Sequence, residues 1–307
     1  MDKYGVDKPD LRYGLEIKDV SDLLQDSDFN AFKDTLANNG VIKAINIHSG
    51  ANFTRKEIDE FIELAQKKGV PGLFYITLKD KEIKSSLEKF LGADKLKELV
   101  KASEAKEGDL IFMVAAPWRL ACEALGLVRL KVAEKLNLKD KGLAAFAWIV
   151  DFPMYEYSEL EEGRLDFGHN PFSMPQGGLE ALKTKEPLDI LAYQFDLVLN
   201  GFEISSGAIR NHDPEIMYEA FKVAGYSQEE VDKNFSAMIN AFSYGAPPHG
   251  GNAPGIDRLF MALNDWNSIR DIYAFPKDSQ GKDLMTGAPC EVKKEQLDEL
   301  AVWLKKT

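Results

Sequence analysis

Cysteine is nearly absent. Only Cys122 and Cys290 occur in 307 residues, with no Cys or His near them at ligand spacing, so neither a disulfide framework nor a zinc site is indicated and both thiols are expected to be buried and structural. No segment is apolar for long enough to span a bilayer. Met1-Asp2-Lys3-Tyr4 opens no hydrophobic signal region, and together these absences predict a cytoplasmic protein without membrane contact. Positive charge is in deficit, with a net charge of −12. Residues 1–116 carry 18 Lys and Arg against 21 Asp and Glu, a net of −3, and residues 117–307 carry the other −9. Nothing forms the basic stripe that holds nucleic acid by neutralising phosphates, so a nucleic-acid partner requires a local contact or another surface. No serine sits in a Gly-x-Ser-x-Gly elbow, which leaves a serine nucleophile unsupported.

What is present is enough apolar residue, 45%, for one large core or two ordinary ones. After the polar connector Tyr4 to Arg12, Val41 to Ile47 alternates as a strand, and Leu73 to Leu78 and Asp109 to Val114 are further strands. Thr54-Arg55-Lys56-Glu57 is a capping box opening a helix whose Ile58, Phe61, Ile62 and Ala65 share a face. Strand and helix alternate here as in an α/β layer, and the lysines of residues 79–106 form a solvated helical face. Ala116-Pro117-Trp118 marks a boundary before a long helix over about residues 118–136 and the strand Ala144 to Val150. Farther on, Asp213-Pro214 is an N-cap followed by proline, and Ser227 to Glu230 is a second capping box.

Three stretches carry chemistry. Gly250-Gly251-Asn252-Ala253-Pro254 stops regular structure, and Ile256, Leu259, Phe260 and Leu263 then resume at helical spacing, so a glycine loop feeds a helix N-terminus with Arg258 in its first turn. That junction suits a polyphosphate or a nucleotide, although glycine-to-helix junctions are usually only turns. In Gln194 to Gly207, Asn200-Gly201 predicts a two-residue hairpin turn that pairs Leu199 with Phe202 and Val198 with Glu203. Glu203 and Asp196 then share a face as diagonal neighbours, with no obvious cation between them in the sequence. Such a pair suits Mg²⁺ bearing phosphate oxygens, or is simply an acidic solvent face. Ser205, Ser206 and Gly207 are small enough for a ligand to approach the backbone, and Arg210 beyond them either forks onto a carboxylate or pairs with Asp213 or Glu215. His169, in Gly168-His169-Asn170-Pro171-Phe172, is a ligand contact or a turn residue, whereas His212 and His249 read as structural.

Taken together, these segments resemble bacterial-type aspartyl-tRNA synthetase, a class II family. The likeness runs through Tyr4 to Arg12, Val150 to Met154, His169 to Phe172, Asp196 to Arg210, Tyr244 to Gly251, Gly255 to Arg258, and Ile269-Arg270-Asp271 through Ala274 to Lys277, with Gly251 to Arg258 similar to the family's third signature motif. The fold class it implies is α+β, a partial class II antiparallel-sheet catalytic core with an inserted α/β domain. Residues 1–16 are then a connector or part of the catalytic domain, 17–116 the inserted domain, and 117–307 the C-terminal part of the catalytic domain.

The resemblance also implies roles. Gly255, Ile256, Asp257 and Arg258 line an ATP site, Asp196 and Glu203 hold the Mg²⁺ on ATP, Arg210 clamps the aspartate side chain, and His169 helps position the amino acid. Glu203 and Arg258 are the catalytic pair. Aspartate and ATP give aspartyl-adenylate, and the aspartyl group passes to tRNA(Asp), and to tRNA(Asn) in members that charge both. The full-length family is homodimeric. Its anticodon-binding barrel, dimer motif and arginine-bearing second motif precede the point that matches Met1, so the chain is expected to be inactive in aminoacylation alone. The alternatives are a non-catalytic interaction module or half of a split synthetase retaining the fold. An amide-forming relative of the same core is disfavoured by the inserted domain.

Overall fold

The computed structural model describes residues 1–158, 160–266 and 268–304, in two units, Met1–Pro254 and Gly255–Thr307. In the first unit the apolar runs build a sheet of β1 (Ile17–Asp19), β2 (Val41–Ile47), β3 (Phe74–Lys79), β4 (Glu82–Ser85) and β5 (Leu110–Ala116), ordered β1-β2-β5-β3-β4. Helices α1 (Asn30–Ala37), α2 (Arg55–Lys67), α3 (Glu88–Ala102) and α4 (Trp118–Lys135) cover it. Every residue of β5 is buried, because helices lie on both faces. Ile45, Phe112 and Val114 meet Ile58 and Phe61 of α2 and Leu125 and Val128 of α4, while Ile42, Ile111 and Met113 meet Phe32 of α1 and Leu96 and Leu99 of α3.

The expected alternation of strand and helix is there, but every strand pairing in this sheet is antiparallel. β2 and β3 run the same way across α2 with β5 inserted between them, a split β-α-β arrangement. Helix α4 lies beyond the boundary read at residue 117, yet Ala121, Ala124 and Val132 belong to the same core as β2 and β5.

Residues 1–16 are mostly irregular but firmly fastened. Arg129, buried in α4, donates to the carbonyl oxygens of Asp10 (2.7 Å), Gly14 (2.6 Å) and Leu15 (3.1 Å), and its guanidinium lies 4.9 Å and 4.3 Å from the ring centroids of Tyr4 and Tyr13. Lys43, fully buried on β2, pairs with Asp2 at 2.5 Å and Asp19 at 3.4 Å, and Trp118 also donates to Asp2. A Cβ on Gly126 would stand 2.5 Å from the Gly5 carbonyl oxygen, so this crossing of strap and helix demands glycine.

The second sheet, ordered β13-β12-β11-β6, holds β6 (Phe146–Ile149), β11 (Gln194–Leu199), β12 (Phe202–Ile209) and β13 (Gly250–Pro254), all antiparallel. Two ribbons, β7 (Phe152–Pro153) with β10 (Leu191–Ala192) and β8 (Tyr155–Tyr157) with β9 (Leu165–Phe167), join α5 (Gly178–Thr184), α6 (Pro214–Val223) and α7 (Gln228–Ser243) beside it. Both capping boxes form, Thr54 with Glu57 and Ser227 with Glu230, and Asp213 caps α6 ahead of Pro214. One face of this sheet leaves Phe146, Trp148 and Val150 exposed. The glycine-rich run at 250–254 is a strand rather than the expected loop. Strand β13 pairs through its backbone with Ser205 to Ile209, and Pro254, which has no N–H to give, falls at its end.

The second unit contains α8 (Ile256–Leu263) and α9 (Lys294–Glu299) and an ion pair between Lys277 and Asp283 at 2.9 Å. Helix α8 forms where its spacing predicts, although Ile256, Phe260 and Leu263 of the expected apolar face are exposed. Cys122 is buried as expected, whereas Cys290 is exposed, because it lies in a segment without regular structure.

Candidate functional site

Asn200 and Gly201 take φ values of 52° and 88°, as a type I′ hairpin turn requires. Asn200 does more than turn the chain. Its side chain accepts from the Ala145 N–H at 2.9 Å and donates to the Leu143 carbonyl at 3.1 Å, tying β6 to the hairpin. Leu199 pairs with Phe202 and Val198 with Glu203, as the turn predicts, but the ladder shifts between Leu197 and Val198, leaving Ile204 as an extra residue. Beyond the bulge Asp196 faces Ser206, and Ser205 faces Leu197 on the opposite side of the sheet.

Asp196 is 7% exposed, and its Oδ1 is buried with no hydrogen-bond partner among the described residues. Burial pushes its pKa up, the hydrogen bond from Ser206 draws it down, and the charge of Glu203 raises it again. The cation that the sequence between the carboxylates lacks comes from the N-terminal strap. Lys8 Nζ lies 3.4 Å from Glu203 Oε2 and 2.9 Å from Asp7 Oδ2, and its pKa is raised chiefly by the hydrogen bond to Asp7. His169 is exposed, packs edge-on to Phe152 at 4.9 Å between ring centroids, and acts electrostatically on both Asp7 and Asp196.

Beside this pair a cavity of about 390 Å³ is lined by Asn170, Phe172, Ser206 to Ala208, Arg210 and His249 to Ala253. Arg210 makes no ion pair among the described residues, and Asp213 instead accepts from the Glu215 N–H at the start of α6. Its guanidinium lies 5.8 Å from the Phe172 ring centroid, and the Arg210 backbone N–H donates to the His249 carbonyl at 2.8 Å. Gly207 needs its bareness for the sheet itself, since a Cβ there would stand 2.6 Å from the Phe195 ring and 2.7 Å from the Asn252 Cβ. His249, read from sequence as structural, lines this cavity while its Nδ1 meets the Pro247 carbonyl oxygen at 2.8 Å.

In the second unit Gly255 precedes α8, Ile256 is 70% exposed, and Arg258 falls in the first turn as expected. Asp257 accepts from the Tyr273 hydroxyl at 3.1 Å, a bond that raises the tyrosine's pKa. Sequence reasoning missed Lys8, Asn170 and Phe172. Lys8 lies in a polar connector with no local spacing that points to a site, and the Asx turn in which Asn170 accepts from the Phe172 N–H at 3.0 Å is the available signal for the other two.

Asp196 and Glu203 are the residues that could hold a metal. The orphaned Oδ1 of Asp196 and the mutual repulsion of two carboxylates fit a hard cation, although among the described residues no third His, Cys, Asp or Glu joins them, so phosphate and water must complete its shell.

Comparison with known proteins gives the family. The family model for tRNA synthetases class II (D, K and N) matches residues 1–279. An aspartate--tRNA(Asp/Asn) ligase of Chlorobium chlorochromatii is 51% identical over 98% of this chain and 49% of its own length. One from Zymomonas mobilis is 49% identical over 97% of this chain and 50% of its own. The solved aspartyl-tRNA synthetase of Entamoeba histolytica covers 50% of this chain and 25% of its own at 23% identity, with a TM-score of 0.34. The chain spans about half the length of the curated relatives it matches. It belongs to the class II tRNA synthetases (D, K and N).

Proposed function

We propose that this chain supplies aspartate- and ATP-contacting residues of an aspartate--tRNA ligase, whose reaction is ATP-dependent formation of aspartyl-adenylate and then transfer of the aspartyl group to tRNA(Asp) and, as the names of its relatives suggest, tRNA(Asn). The observation that carries this reading is Arg210. Its guanidinium borders the cavity without an ion-pair partner among the described residues, above a wall of Ser206, Gly207 and Ala208. A planar fork in that position is complementary to a free carboxylate.

The side-chain carboxylate of aspartate would pair with Arg210, and His169 would help position the amino acid. That leaves the α-carboxylate, already a nucleophile, to attack the α-phosphate of ATP and displace pyrophosphate as the α–β anhydride bond breaks, so placement and charge rather than a covalent enzyme intermediate lower the barrier. Asp196 and Glu203 would hold Mg²⁺, which when bound neutralises phosphate charge. Gly255, Ile256, Asp257 and Arg258 keep the ATP-site role given by the resemblance, with Glu203 and Arg258 as catalytic residues. Ser206 leaves the β12 backbone open to substrate, whereas Ser205, expected to do the same, is buried on the opposite side of the sheet. The division into 1–16, 17–116 and 117–307, corrected in that α4 packs into the core of the 17–116 sheet, a homodimeric full-length protein and a cytoplasmic location complete the reading.

Titration calorimetry tests it. Aspartate should bind and asparagine should bind far more weakly, and Arg210→Leu should cost about 2–3 kcal/mol of aspartate affinity, the scale of a charge-assisted hydrogen-bonded pair. Equal affinity for the two amino acids, or an unchanged Arg210→Leu variant, contradicts the assignment.

A further inference from the structure

Lys8 is delivered to the carboxylate pair from an anchored backbone. Asp2 is tied to Lys43 and Trp118, Gly5 is pressed against Gly126, and Asp10 is held by Arg12 and, through its carbonyl, by Arg129. Asp10 also lies against the hairpin turn, since a Cβ on Gly201 would stand 3.4 Å from the Asp10 Cβ. The Lys8 side chain itself is 41% exposed and able to swing between its two partners, Asp7 at 2.9 Å and Glu203 at 3.4 Å.

Two carboxylates on one face repel each other, and a cation at Glu203 relieves that cost. A divalent ion on the pair needs the same Glu203 oxygens and repels the ammonium, so the two cations compete. Resting on the reading of Asp196 and Glu203 as the Mg²⁺ pair, we propose that Lys8 is a built-in counter-cation, which neutralises Glu203 in the metal-free protein and swings away to Asp7 when the metal enters. Asp7 keeps the ammonium paired throughout, so the exchange leaves no stranded charge. In this arrangement Lys8 is a positioning residue: it holds the Glu203 carboxylate toward the site and lowers the affinity for a bare ion.

Mn²⁺ binding, followed by water-proton relaxation, tests the proposal in the 307-residue protein. Lys8→Met should bind Mn²⁺ about two- to fivefold more tightly than the parent, the weight of a partly exposed ion pair, and Lys8→Arg should restore the parent affinity. Acylation of the Lys8 amine, read by mass spectrometry, should change when Mn²⁺ is added to the parent. Equal or weaker Mn²⁺ binding by Lys8→Met, or Lys8 acylation indifferent to Mn²⁺, overturns the counter-cation role. Asp196→Asn separates the two levels: it should abolish Mn²⁺ binding, and Mn²⁺ binding that survives it ends the metal-pair reading and the exchange with it.

Discussion

Asp196 stands directly across the β11–β12 ladder from Ser206, one place further along than the Asn200-Gly201 turn alone would set. Continued without a bulge, the turn register would pair Asp196 with Ser205 and send Ser206, Ala208 and Arg210 to the other side of the sheet. The extra residue, Ile204, corrects the phase. Ser206, Ala208 and Arg210 then line one cavity on the face of Asp196, while Glu203, on the turn side of the bulge, keeps that face through its pairing with Val198.

Deleting Ile204 is therefore expected to shift one side of the hairpin against the other. The deletion variant should lose aspartate binding by calorimetry while its far-ultraviolet circular dichroism stays close to the parent's, at a stability cost of about 1–3 kcal/mol for a buried core residue. Retention of full aspartate affinity would show that the bulge does not set the phase of Arg210.

Asp196 predicts a stability effect with a definite pH signature. Burial and the charge of Glu203 raise its pKa despite the Ser206 hydrogen bond, so the folded protein favours the protonated acid. The contribution is complete below the unfolded value, at about pH 4, and is lost as pH rises through the raised folded value. Asp196→Asn should thus match the parent in urea unfolding at about pH 4 and be more stable than it at about pH 7, where the parent carries a buried charge that the Ser206 hydrogen bond only partly offsets. A pH-independent difference between the two curves rejects this account.

The parts legible in the sequence are those written in local side-chain chemistry. Thr54 with Glu57, Ser227 with Glu230 and Asn200-Gly201 each bond within a few residues, and each forms as read. The illegible parts depend on pairing over distance. Strand β13 has almost no side-chain pattern, so only its backbone bonds to β12 reveal it. Ile204 looks like any strand residue until its partner strand is present, and the meeting of Lys8 with Glu203 depends on how the strap crosses α4. Arg210 was legible as a candidate, but its lack of an ion pair with Asp213 was not, because only the fold shows that Asp213 is occupied by the α6 cap.

Arg129 makes the strap part of the fold. Replacing it with Met keeps the apolar stem but strands the carbonyl groups of Asp10, Gly14 and Leu15 and removes the cation between Tyr4 and Tyr13. The expected loss is about 2–4 kcal/mol. Hydrogen exchange should show the amides of residues 4–17 losing protection before those of β2 and β5, and uniform loss across the unit would instead mean that the strap and sheet open together.

Gly126 sets how closely the strap passes α4. An added Cβ would meet the Gly5 carbonyl at 2.5 Å, and Gly5 cannot retreat cheaply because its own φ of 72° suits glycine and its N–H is bonded to the Met1 carbonyl at 2.8 Å. Gly126→Ala should therefore cost about 1–3 kcal/mol by thermal unfolding, even though alanine favours a helix interior over glycine by roughly 1 kcal/mol. The sign decides between the two effects. A destabilised variant shows that strap packing outweighs helix propensity, whereas a stabilised one shows that the strap yields. In the destabilised case Lys8 also moves off Glu203, because residues 5–8 shift with the contact, so Gly126→Ala should approach Lys8→Met in its Mn²⁺ affinity although it leaves every charged group in place.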